Sequence, residues 1–123
     1  MRVLIVVKNQ KLGDIWGRHL SRMGAEVIST DSQEEAIETL CDVNVDIIIL
    51  NTVLGKKDSP MAVADFAGYR QPEAKVIFVS NASFFSDGSL FRYFPNACAF
   101  TTPQVSPRDL GALVEYHGLR RSA

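Results

Sequence analysis

Short runs of apolar, mostly β-branched residues alternate along this chain with segments in which apolar residues recur every three or four positions. Four of the runs are apolar and largely β-branched, and runs that are apolar at nearly every position are typical of strands in a parallel sheet that is covered on both faces. A fifth run is weaker. The predicted strands are Val3–Val7, Glu26–Ser29, Val45–Leu50, Val76–Ser80 and Ala97–Thr101.

The segments between the runs have helical spacing. The first predicted helix ends at Gly24 and carries an apolar stripe made of Leu12, Ile15, Trp16, Leu20 and Met23. A second helix begins at the capping box Ser-Gln-Glu-Glu of residues 32–35. Two further helices are predicted over residues 61–70 and 86–94.

The last predicted helix has the clearest boundaries. Ser106 is its predicted N-cap, Pro107 occupies the first helical position, and Gly118 is expected just past its end. Its inward stripe is predicted to be Leu110, Leu113 and Val114. Five strands alternating with five helices predict an α/β fold, a doubly wound parallel (βα)₅ sheet with helices on both faces. We expect residues 1–123 to form this single domain, with no output domain.

Composition narrows the class of protein. The 13 basic and 14 acidic residues nearly cancel, so nothing predicts binding to nucleic acid or to a membrane surface. No apolar run approaches the roughly 20 residues that span a bilayer, and no signal peptide is visible. Cys41 and Cys98 lack metal-site spacing and are expected to be reduced thiols in the core. We therefore expect a cytoplasmic protein.

Several local motifs are similar to those of one family. The segment 51–59, Asn-Thr-Val-Leu-Gly-Lys-Lys-Asp-Ser, resembles the D-x-x-[ML]-P-x-x-D-G loop of the receiver domains of two-component response regulators. Ser80, at the end of the fourth strand, matches the Ser/Thr of that family, and Thr102-Pro103 resembles its Lys-Pro pair. The resemblance covers residues 1 to about 118. It implies a flavodoxin-like, CheY-like fold with strand order 2-1-3-4-5.

The resemblance also implies a phosphorylation site, which this chain has lost. In receiver domains an aspartate accepts the phosphoryl group, two carboxylates after the first strand help to bind Mg²⁺, and a lysine neutralises charge. The acceptor position here is Asn51, the acidic pair falls on Val7 and Lys8 (or on Lys8 and Asn9), and the lysine position is Thr102. The carboxamide of Asn51 cannot act as the nucleophile that accepts the phosphoryl group, and Mg²⁺ prefers carboxylate ligands. We expect neither Mg²⁺ nor any other cofactor.

Two details of this degenerate site stay open at this point. The Lys8 ammonium either extends into solvent or occupies the vacated metal position and donates to Asn51. The switch aromatic of the family is either lost, because Ala99 stands three residues before Thr102, or is represented by Phe100 after a one-residue deletion.

An aromatic segment precedes the fifth strand. Its residues either pack beneath the fourth helix or form an exposed partner surface on the face made by the fourth helix, the fifth strand and the fifth helix. The residues of this candidate surface are Phe84, Phe85, Phe91, Arg92, Tyr93 and Phe94.

The sequence thus predicts a pseudo-receiver that is not an enzyme, because it has neither a nucleotide-binding nor a nucleophile motif. It would dock on a protein such as a histidine kinase, a phosphotransferase or another regulator, or on a second copy of itself. The alternative is a sensor that binds a small molecule or an anion at the carboxyl ends of the strands. Phosphorylation of Ser80 or Thr102 is a third hypothesis.

Overall fold

The computed structural model describes residues 1–53, 58–80 and 94–119. Five parallel strands form one sheet in the order β2-β1-β3-β4-β5, which confirms the predicted fold class and strand order. Each strand lies within two residues of its predicted bounds. The strands are β1 (Arg2–Val6), β2 (Glu26–Thr30), β3 (Ile47–Asn51), β4 (Lys75–Val79) and β5 (Ala97–Thr101).

The described part of the chain contains four helices: α1 (Gln10–Arg22), α2 (Gln33–Asp42), α3 (Pro60–Arg70) and α4 (Pro107–Leu119). The helix predicted over 86–94 falls outside the described residues except for Phe94, which is not helical. The expected end of the last helix before Gly118 is wrong, because α4 continues to Leu119. No helix within the described residues is long and apolar enough to cross a membrane.

Helices cover both faces of the sheet and enclose two apolar clusters. On the first face, α2 and α3 bury alternate residues of the strands, including Leu4, Ile48 and Phe78. On the second face, α1 and α4 bury the intervening residues, including Ile5 and Ile49. Because successive side chains of a strand point to opposite faces, runs without polar interruption are required here.

The apolar stripe predicted for α1 is partly wrong. Trp16 and Leu20 are buried, but Ile15 is 50% exposed and Met23 is 39% exposed. The helix is rotated so that Gly13 and Gly17 face inward, and a Cβ on Gly17 would lie 3.7 Å from Val27 Cγ1. The buried face of α1 therefore includes two glycines, and the spacing of large apolar residues alone did not reveal that face.

The two cysteines differ from the prediction and from each other. Both are free thiols, but Cys41 is exposed on α2 while Cys98 is half-buried in β5. Burial raises the pKa of Cys98 to about 11, although the charge of Lys75 offsets part of this effect. The register between β4 and β5 shifts at Cys98, since Val76 pairs with Ala97 but Ile77 pairs with Ala99. This irregularity is a β-bulge that inserts Cys98 into the strand.

Polar side chains join α2 to α3 at one end. Gln71, which follows α3, donates through Nε2 to the carbonyl oxygens of Leu40 (2.8 Å) and Val43 (2.7 Å). Its Oε1 accepts from the Val45 amide at 2.8 Å. One side chain therefore satisfies backbone groups at the end of α2 and in the segment leading into β3.

Candidate functional site

The carboxyl ends of parallel strands meet at one edge of the sheet, where α/β proteins build their sites. The structure brings the ends of β1, β3, β4 and β5 together at that edge. The predicted site residues that follow or end these strands are Val7, Lys8, Asn51, Ser80, Thr102 and Pro103.

Asn51 is the last residue of β3 and is only 9% exposed. Its Oδ1 accepts a hydrogen bond of 2.8 Å from the backbone amide of Val53. Asparagine favours such a bond to its own chain two residues further on. The next residue, Thr52, fixes the loop to β4, because its amide donates to the Val79 carbonyl at 2.9 Å. The Asn51 carboxamide therefore shapes a turn at the position of the family's acceptor.

The residues after β1 cannot replace the acidic pair. Val7 is 3% exposed and belongs to the apolar cluster under α1 and α4. Asn9 caps α1, since its Oδ1 accepts from the Leu12 amide at 3.2 Å. Lys8, between them, is exposed and makes no hydrogen bond with Asn51. The structure thus supports the solvent-exposed alternative for Lys8 and gives the ammonium no role at Asn51.

The ends of β4 and β5 keep one buried hydroxyl residue. Ser80 is 7% exposed, and its amide donates to the Thr101 carbonyl at 2.9 Å. Thr102 is exposed, and its carbonyl accepts from the Val105 amide at 3.0 Å in a turn that contains the half-buried Pro103. Thr102 supplies no positive charge to this edge.

The bulge in β5 separates the two candidates for the switch aromatic. Ala99 pairs with Ile77 and packs against the cluster on the α1–α4 face. Phe100 pairs with Phe78 and is 37% exposed. Phe100 is therefore the aromatic residue that β5 offers near this edge.

The loop that follows Asn51 is fastened to the beginning of α2. Asp58 Oδ2 accepts from the Gln33 amide at 3.3 Å, and Gln33 Oε1 accepts from the Ser59 amide at 2.8 Å. The Asp58 carboxylate lies at the N-terminus of α2, where a negative charge is favourable. Lys56 and Lys57 of this loop lie outside the described residues.

A cleft of about 340 Å³ lies beside this edge, between the ends of β1 and β2 and the starts of α1 and α2. Three carboxylate residues, Asp14, Asp31 and Glu35, line it together with Val7. A hydrogen bond with Asp31, and then repulsion between the two carboxylates, raises the pKa of Glu35 above its ordinary value. The cleft is acidic and so disfavours an anionic ligand.

The side chains present do not fit Mg²⁺ at the position where receiver domains bind it. Val7 is apolar, Asn9 is used as a helix cap, and the Asn51 oxygen already accepts from Val53. Mg²⁺ dehydrates reluctantly and is usually held by one or more carboxylates. Across the described ranges, no three His, Cys, Asp or Glu side chains are grouped to hold a metal.

Most of the candidate aromatic surface lies outside the described residues, namely Phe84, Phe85, Phe91, Arg92 and Tyr93. Phe94 is half-buried and packs against the α2–α3 cluster. Its ring contacts Phe78, with centroids 5.7 Å apart and planes at 51°. Phe94 therefore packs inward, in line with the alternative in which the aromatic residues are buried.

Several residues that shape this edge were not identified from the sequence. Asn9 and Ser59 are N-caps, and Ser59 Oγ accepts from the Ala62 amide at 3.2 Å. The Ser59-Pro60 pair is a recognisable start signal for a helix. The Gln33–Asp58 contact joins residues 25 apart, and no local pattern indicates it.

No protein-family model matches the chain, and no curated protein sequence matches it. Solved structures do match its fold. A CheY-like response regulator receiver domain protein from Methanospirillum hungatei JF-1 superposes with a TM-score of 0.87 at 22% identity, over 98% of this chain and 95% of that one. The signal receiver domain of a putative Luxo repressor protein from Vibrio parahaemolyticus gives 0.87 at 20% identity, over 98% and 92%.

A third structure with a similar fold is a Mg²⁺ complex. The response regulator protein TrrA from Thermotoga maritima, in complex with Mg²⁺-BeF, gives a TM-score of 0.79 at 20% identity, over 94% of this chain and 96% of that one. At this level of identity the superpositions show the fold alone, and the reaction depends on the side chains present. This chain has the fold of the CheY-like receiver domains.

Proposed function

We propose that this protein is a pseudo-receiver, a receiver-fold signalling domain that acts by binding a protein partner without being phosphorylated. The observation that carries the proposal is the environment of Asn51. Its oxygen is committed to the Val53 amide, and the neighbouring β1 end presents the buried Val7 instead of a carboxylate. The edge thus keeps a receiver-like shape without metal ligands or a phosphoryl acceptor.

The loss of several groups at once supports an absent phosphoryl-transfer reaction over a weakened one. Metal ions and positive charges each stabilise the transition state of phosphoryl transfer by roughly several kcal/mol. The position of the charge-neutralising lysine is the exposed Thr102, and Lys8 extends into solvent. A single substitution at Asn51 therefore restores only the nucleophile.

A small-molecule phosphodonor tests this proposal directly. The wild type and Asn51→Asp would be incubated with acetyl phosphate and Mg²⁺ and measured by intact-mass spectrometry. We expect no phosphoryl adduct on either chain. Efficient labelling of Asn51→Asp at residue 51 would contradict our placement of the site, and labelling of the wild type at Ser80 or Thr102 would establish the alternative modification.

The binding half of the proposal needs its own measurement. The wild type and Asn51→Ala would be used to isolate protein partners from the native cells, with and without acetyl phosphate, and the partners would be quantified by mass spectrometry. A histidine kinase, a phosphotransferase or another regulator is the class of partner that we propose. We expect phosphodonor to leave the recovered partners unchanged for both chains. Partners that bind only after phosphodonor treatment would contradict phosphorylation-independent docking.

The alternative of an anion sensor at the strand ends has less support. Lys8, the cation that suggested it, is exposed, and the adjacent cleft carries Asp14, Asp31 and Glu35. An anion there would meet repulsion from these carboxylates. Thermal-shift measurements with inorganic phosphate and sulfate, at constant ionic strength, would reveal such a ligand by a concentration-dependent rise in Tm.

A further inference from the structure

Two glycines of α4 lie on one side of the helix, two turns apart, at positions 111 and 118. Glycine is unfavourable inside a helix, so Gly111 in particular calls for a reason. A Cβ on Gly111 would lie 2.7 Å from Met23 Sδ and 3.0 Å from the His19 ring, and a Cβ on Gly118 would overlap Met1 Sδ. The sulfur atoms of Met1 and Met23 thus rest on the helix backbone at these glycines.

Both methionines are open to small solutes. Met1 is 45% exposed and Met23 is 39% exposed. They line a crevice of about 310 Å³ between the ends of α1 and α4, together with Leu20, Ala25 and Val114. Each methionine side chain therefore packs partly against the glycine and apolar neighbours and is partly exposed to solvent.

We infer that Met1 and Met23 form a modification site for peroxide, and that their oxidation loosens α4 from α1. This inference goes beyond the proposed docking function and does not depend on it. In the reaction, a sulfur lone pair attacks one oxygen of hydrogen peroxide. The O–O bond breaks as the S–O bond forms, and the departing hydroxide takes the remaining proton to give water. The sulfur is oxidised to a sulfoxide and the peroxide is reduced.

The sulfoxide fits this position poorly for two reasons. It adds an oxygen to a sulfur that lies close to the backbone of α4, at a place where a methyl group on Gly111 would already require the Met23 side chain to shift. It also converts an apolar side chain into a polar one beside Leu20 and Val114, which are 1% exposed. The side chain must leave its position on the glycine, and the contact between the helices weakens.

The chain provides an internal comparison in its third methionine. Met61 is half-buried on α3, on the opposite face of the sheet, and packs against the α2–α3 cluster. A Met61→Leu, Cys41→Ser background removes this thioether and the exposed thiol, so that hydrogen peroxide acts mainly on Met1 and Met23. The same background with Met23→Leu keeps an apolar side chain of similar size that peroxide does not oxidise.

The test treats the full chain in this background with hydrogen peroxide, locates the added oxygens by peptide mass mapping, and follows amide hydrogen exchange. We expect one oxygen each on Met1 and Met23, a rise of at least about tenfold in exchange over residues 111–118, and little change in α2 and α3. Methionine sulfoxide reductases should reverse both effects. The Met23→Leu chain should keep most of its protection near Gly111.

Two outcomes would overturn the inference. One is formation of both sulfoxides with no change in exchange over α4. The other is an equal rise in exchange in a chain whose methionines are all replaced by norleucine, which would place the cause elsewhere. Far-UV circular dichroism before and after treatment separates local loosening of α4 from global unfolding.

Discussion

On one face of the sheet α2 and α3 are joined by hydrogen bonds at both ends of α2, whereas on the other face α1 and α4 meet through side chains that rest on glycines. Gln33 and Asp58 fasten the first end of α2, and Gln71 fastens the second. On the α1–α4 face, Met23 and His19 lie against Gly111. The buried Trp16 Nε1 has no hydrogen-bond partner among the residues that the structure describes.

The difference indicates which part of the fold can move. Directional bonds to backbone groups fix α2 in position and register, because a shifted helix would leave those groups unsatisfied. Flexible thioethers on a glycine surface constrain position less strongly, since methionine adapts to many shapes. The α1–α4 face is therefore the one on which we expect a modification or a partner to change helix packing at low cost.

The largest expected effect concerns the two thiols, one on each face. Burial holds the pKa of Cys98 at about 11 against an ordinary value of 9.0, so at neutral pH its thiolate fraction is lower by a factor of about 100. We expect a chromogenic disulfide reagent to modify Cys41 rapidly and the half-buried Cys98 much more slowly. Cys41→Ser should remove the fast phase. A fast phase that survives in Cys41→Ser would contradict the raised pKa of Cys98.

The next effect tests the hydrogen bonds at the end of α2. Gln71→Ala removes three bonds and leaves the carbonyls of Leu40 and Val43 and the Val45 amide without this partner. We expect the free energy of unfolding to fall by about 2 kcal/mol, because these groups are only partly accessible to water. Urea denaturation measures it, and Gln104→Ala, at an exposed position, is the control. A change as small as in the control would mean that water replaces the side chain.

A glycine substitution tests the α1–α4 face. In Gly111→Ala the flexible Met23 and His19 side chains must shift to admit the new methyl group, and we expect the cost of this shift to offset a gain in helix propensity of about 1 kcal/mol. In a Met23→Ala background the gain should be recovered, and a double-mutant cycle by urea denaturation measures this coupling of about 1 kcal/mol. Gly13→Ala is the matched control, since its Cβ would meet nothing within 4 Å and should stabilise α1. Equal effects at the two glycines would contradict the close contact at Gly111.

The smallest expected effect lies at the first end of α2. Asp58→Asn removes a negative charge from the helix N-terminus but retains an oxygen that accepts from the Gln33 amide. We expect a loss of about 0.5 kcal/mol that decreases with added salt. Thermal denaturation at two salt concentrations measures it, with Asp65→Asn at an exposed position of α3 as the control. A loss that does not depend on salt would indicate a change in hydrogen-bond geometry.

Much of the fold follows from local sequence. The β-branched runs give the strands, Ser106-Pro107 gives the start of α4, and the Asn51 position follows from the end of β3. The predicted inward residues Leu110 and Val114 of α4 are buried, because periodic apolar spacing reports a helix that lies on a sheet. The position of Gly13 and Gly17 on the inward face of α1 was not predicted, because a glycine has no side chain to indicate which face is buried.

The sequence by itself determined the order of the strands and of the four described helices, and the absence of carboxylates at the positions that would bind Mg²⁺ in a receiver domain. Both are properties of residue type and spacing. Only the tertiary structure decided that Val7 packs into the core, that Lys8 is exposed, and that Met1 and Met23 rest on the glycines of α4. These contacts join residues far apart in the chain, and their distances depend on how the helices rotate and approach the sheet.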